Sequence, residues 1–111
     1  MSRRDHLGEF EQIVILGLLQ LGDGAHGAAV RREIEQRTGR SAKVGAVYAT
    51  LERLERKGLV ASRLGAPTPE RGGRAKRCFT VLPAGRRALV ASQRMVARMS
   101  EGLSLSTGEE P

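Results

Sequence analysis

Gly45-Ala46-Val47-Tyr48-Ala49-Thr50-Leu51-Glu52-Arg53-Leu54-Glu55-Arg56-Lys57-Gly58-Leu59-Val60 is the stretch whose reading decides the fold. Val44, Val47, Leu51 and Leu54 recur at helical spacing, so a helix is predicted over about 44–57 with that stripe inward, Tyr48 on its flank and Gly58 ending it. The opposite face reads Gly45, Ala46, Ala49, Thr50, Arg53, Arg56 and Lys57. Its first turns are almost bare, which lets a helix backbone approach the floor of a groove. Thr50 can reach a base edge or a phosphate, and the basic residues can meet phosphate or guanine. The plainer alternative is a solvated face whose acids, Glu52 and Glu55, pair with neighbouring cations.

Downstream the period changes. Leu59 to Leu64 and Arg77 to Leu82 read as two short strands around a Gly- and Pro-rich link, a β-hairpin with a long basic tip. Arg71, Arg74, Lys76 and Arg77 crowd there with no acid among them, and Gly72 and Gly73 let the loop follow a phosphate backbone. Upstream, Phe10, Ile13, Val14, Leu18 and Leu21 mark one buried face of a first helix, while Ile15, Leu16 and Leu19 add a second apolar face that a partner chain would cover. A second helix is predicted from about Gly27 to Thr38, with Val30 and Ile34 inward and Gly39 closing it. Pro83 opens a fourth helix that runs through Arg98 or beyond.

The expected order is helix, helix, helix, strand, strand, helix: a mainly α chain with a small β-hairpin, a winged helix-turn-helix followed by a C-terminal dimerisation helix. The expected organisation is a DNA-binding unit over 1–82, a dimerisation helix over 83–103 and a flexible tail over 104–111. Leu89, Ser92, Val96, Met99 and Leu103 form a coiled-coil-like seam on the last helix. Packing between subunits is favoured over packing on the chain's own core.

Composition agrees with a polyanionic partner. The 111 residues carry 19 Lys+Arg against 12 Asp+Glu, a formal charge of +7. With three aromatics and no Trp, self-association would supply burial that one small domain lacks. Single-stranded RNA readers stack bases on aromatics, so that alternative is short of its usual side chains. A small basic RNA-binding protein and a winged helix reused as a protein-interaction module stay as alternatives. The lone Cys78 gives neither a disulfide framework nor a zinc cluster and reads as a small apolar strand residue. No apolar run is long enough for a membrane span and no signal-peptide pattern opens the chain, so a cytoplasmic location is expected.

Gly22-Asp23-Gly24-Ala25-His26-Gly27 matches G-x-G-x-x-G letter for letter. It follows helical rather than strand spacing and lacks an acid at ribose distance, so it reads as the turn between helices one and two. Neither His6 nor His26 shares a motif with a nucleophile or an acid, and no metal-ligand cluster is present; an enzyme, a cofactor and a metal are not expected.

Three segments together closely resemble one family, the PadR-like transcriptional regulators: the opening quotation, Pro69-Glu70-Arg71-Gly72-Gly73-Arg74-Ala75-Lys76-Arg77, and Pro83-Ala84-Gly85-Arg86-Arg87-Ala88-Leu89. The likeness runs from about Leu7 to Arg98. It implies a homodimeric repressor on double-stranded DNA, a small-molecule effector in some members, and a subunit interface made by the first and last helices. In this sequence that interface is expected at Phe10, Leu16, Leu19, Leu89, Val96, Met99 and Leu103. The likeness also implies that Tyr48 touches DNA. The expected DNA-binding set is thus Lys43, Gly45, Ala46, Tyr48, Ala49, Thr50, Arg53, Arg71, Arg74, Lys76 and Arg77. Lys43 stands where many members have a capping Ser or Thr, so either Ser41 caps the third helix or the helix starts differently. His26, Cys78 and Leu82 also depart from the family pattern.

Overall fold

The computed structural model describes residues 6–22, 24–65 and 76–106. In chain order it comprises α1 (Glu9–Leu21), β1 (Ala25–His26), α2 (Gly27–Thr38), α3 (Val44–Arg56), β2 (Val60–Leu64), β3 (Arg77–Val81) and α4 (Pro83–Ser100). The wing tip, with Arg71 and Arg74, and the tail from residue 107 lie outside the described residues.

Three helices pack around Val14, Ile15, Leu18, Val30, Val47, Leu51 and Leu54, and Phe79 from β3 closes this core from the sheet side. Ile15, expected on an outer face of α1, is wholly buried, while Leu21, expected inside, is exposed. The inward face of α1 is therefore rotated by about one residue from the expected one, because Gly17 lets α2 come close: a Cβ there would sit 3.2 Å from Val30.

The sheet is larger than a hairpin. Its order is β1-β3-β2, all antiparallel, with Ala25 opposite Phe79 and Val60 opposite Val81. A strand as short as β1 carries no period to read; the turn after α1 delivers it to the free edge of β3, and Gly24 makes that turn at φ +80°.

His26 ends β1 and caps α2, its Nδ1 accepting the Ala29 N–H at 3.2 Å. Burial lowers its pKa, and the positive charges of Lys76 and Arg32 lower it further. Only the neutral ring can accept that bond. The unfolded chain therefore binds more protons on the acid side, and stability falls as pH drops below about 6.5 until it passes the depressed folded value. The melting midpoint is expected to rise between pH 5 and pH 7.5, and His26→Asn, which caps without titrating there, to flatten the rise; an identical slope in both proteins would remove His26 from the cap.

The amino-terminal half of α4 is pinned to this body. The Leu82 N–H donates to the Leu59 carbonyl at 3.0 Å, and the Leu7 N–H donates to Ser92 Oγ at 3.0 Å. At Gly85 a Cβ would lie 2.3 Å from that same Leu59 oxygen, so only glycine allows the close approach. Gly85, Ala88, Leu89 and Ser92 face inward. Past Ser92 the same stripe runs beyond the body, leaving Val96 60% and Met99 79% exposed; α4 ends at Ser100, short of the expected 103, so Leu103, 63% exposed, follows the helix and is not on it.

The seam expected to lie wholly between subunits is thus divided. Leu89, a predicted interface residue, is buried in the chain's own core at 5% exposure. Phe10 and Leu19 also lean on that core, whereas Leu16, Val96, Met99 and Leu103 stay exposed.

Candidate nucleic-acid interface

On α3 the residues opposite the buried stripe are Gly45, Ala49, Glu52 and Arg56, spaced by four, three and four. Lys43, Val44 and Ala46 are exposed beside them at the amino-terminal end. Lys43 is the N-cap residue in extended conformation and its side chain makes no cap bond; Ser41 does not replace it. The result is a helix end whose first N–H groups have no side-chain cap, with Lys43 beside it and the small residues Gly45, Ala46 and Ala49 exposed on its first two turns.

Thr50 is a correction. It is 3% exposed, three residues after Val47 and four before Leu54, and so belongs to the inward stripe. Its Oγ1 accepts from Arg53 Nη2 at 3.4 Å.

Arg53, expected among the DNA contacts, is held by a partner within the subunit. Its Nε donates to Glu11 Oε2 at 3.1 Å, and Lys57 Nζ reaches the same oxygen at 2.9 Å. Glu11 Oε1 meanwhile accepts the Gly8 N–H at 3.0 Å. Burial on its own raises the Glu11 carboxyl; the bonds from Lys57, Gly8 and Arg53 outweigh it and hold the group below its ordinary value. The two cations at the far end of α3 are ties to α1.

Arg77, expected there too, is also held within the subunit. Its Nη2 lies 2.6 Å from Glu55 Oε1, its Nε donates to Ser62 Oγ at 3.1 Å, and its Nη1 stands 3.5 Å from Glu52 Oε2. Ser62 Oγ donates to Glu55 Oε2 at 2.7 Å, and the guanidinium covers the Phe79 ring at 5.4 Å. This network braces α3 against the wing strands. Lys76 precedes it, exposed, and with Lys43 and Arg56 it holds no ion pair among the described residues.

Tyr48 is half-buried between the two regions. Its ring meets Phe79 edge-on at 6.2 Å and lies over Gly27, where a Cβ would come within 2.6 Å of it. Glycine at the start of α2 is what gives the ring its seat. Sequence reasoning missed Glu11 and the Glu52–Arg77 pair. Glu52 was legible as part of the outward stripe from its spacing to Ala49; Glu11 announced nothing until the chain folded.

Residues 15–91 match the Transcriptional regulator PadR-like family. The chain belongs to that family. This PadR-like regulator is 39% identical over 87 residues to an uncharacterized 37.1 kDa protein in transposon TN4556 of Streptomyces fradiae; the match takes in 78% of this chain and 23% of that protein's length. Among solved structures it is similar to a PadR family transcriptional regulator from Eggerthella lenta DSM 2243, at 24% identity and TM-score 0.66 over 85% of this chain and 81% of that one. It is also similar to F93 from STIV, a winged-helix DNA-binding protein, at 12% identity and TM-score 0.68 over 89% and 99%. These likenesses establish the winged-helix fold. Among the described residues no helix is long and apolar enough to cross a membrane.

Proposed function

We propose that this PadR-like regulator is a homodimeric, sequence-specific repressor of transcription that binds double-stranded DNA. Each subunit lays α3 in a major groove and runs its wing along the adjacent backbone. The observation that carries the reading is the exposure of Gly45, Ala46 and Ala49 next to Lys43 and Lys76, which hold no ion pair among the described residues. The α4 overhang pairs the subunits, and the protein works in the cytoplasm without catalysis.

A dimer that neutralises about eight phosphates gives a log–log salt slope near −7 on duplex DNA. Replacing Arg74 and Lys76 by Ala in both subunits removes up to four of these contacts, so the slope should flatten by about 3 to 4 and binding should weaken on every sequence alike. Titrations at several salt concentrations test this. A slope near zero for the unaltered protein would defeat the DNA reading, and one unmoved by the substitutions would take the wing off the backbone.

A further inference from the structure

We infer that Glu52 is the base-reading residue of α3 and that it selects cytosine. The inference rests on α3 entering a major groove. On the exposed stripe Gly45 and Ala49 offer no side-chain donor or acceptor, so direct readout falls to the long side chains that follow. Arg56 is a cation that phosphate satisfies as well as guanine does. Glu52 is different.

Its carboxylate is half exposed on the stripe that the proposed function turns toward the groove, where DNA phosphates would repel it unless a base donor rewards its presence. Arg77, itself held by Glu55 and Ser62, places a guanidinium 3.5 Å from Glu52 Oε2, which offsets that repulsion and restricts where the carboxylate points. Arg77 is thus a positioning residue for Glu52.

A carboxylate only accepts. Cytosine offers its N4 amino donor in the major groove, whereas adenine sets an N7 acceptor beside its N6 donor and guanine shows acceptors. Cytosine is the base that matches. Gln, with one donor and one acceptor, matches adenine instead.

The test is selection from a pool of randomised duplexes with the full chain, Glu52→Gln and Glu52→Ala. The unaltered protein should enrich cytosine about tenfold at one position in each half-site. Glu52→Gln should transfer that preference to adenine and Glu52→Ala should lose it, with all other positions of the motif unchanged. If Glu52 is only a solvated charge, both variants will keep the original motif and bind every duplex more tightly, which overturns the assignment. If the unaltered protein enriches no motif, the groove reading itself fails and takes the assignment with it.

Discussion

Glu11→Ala lowers the melting midpoint by about 10 °C, a loss of roughly 2 kcal/mol in a domain of this size. The residue looks like an ordinary first-turn acid, yet its side chain is 9% exposed and serves three donors at once. Removing it strips the Gly8 N–H of its partner and leaves Arg53 and Lys57 without their shared counter-charge. Those cations are 47% and 31% exposed, so water screens their repulsion and the loss stays below that of a fully buried pair. The pH dependence has a definite sign. A carboxyl held below its ordinary value contributes its full stability above about pH 4.3 and loses it as pH falls through the folded value, so wild type and variant should converge in acid. This window lies below that of His26, and the two separate in one series of melts. A variant that kept its midpoint and bound DNA more tightly would favour Arg53 as a DNA contact over a structural tie to α1.

Val96→Asp is expected to dissociate the proposed dimer while leaving each subunit folded. Val96 and Met99 continue the stripe that Leu89 and Ser92 bury, and no described residue covers them. A carboxylate there costs the subunit nothing, whereas twofold pairing would bury one from each chain in an apolar seam. The expected penalty is about 3 kcal/mol or more, over a hundredfold in the dimer dissociation constant. Sedimentation should report the monomer mass with an unchanged circular dichroism spectrum, and an operator with two half-sites should be bound far more weakly. Leu89→Asp makes the contrast, since it places the charge inside the subunit's own core and should unfold it. An unchanged mass for Val96→Asp would move the interface off the overhang.

Much of this was legible in the residues, and the parts that were not share a cause. The helix boundaries at Gly39 and Gly58 and the strands on either side of the wing follow from local rules. Thr50 was misread although its spacing from Val47 and Leu54 placed it inward. β1 had too few residues to announce itself. The partners of Arg53 and Arg77 were hidden because they lie far along the chain: Glu11 is 42 positions from Arg53, and Glu55 is 22 from Arg77.

By itself the amino-acid order determined the element types, the bare outer face of the third helix and the family likeness, because periodicity, capping and turn chemistry act over a few residues. Only the tertiary arrangement decided which cations stay available to a polyanion and which half of α4 lies open. An arginine's partner depends on which carboxylate the folded chain brings within about 3 Å, and helix spacing describes a stripe without marking where the body beneath it ends.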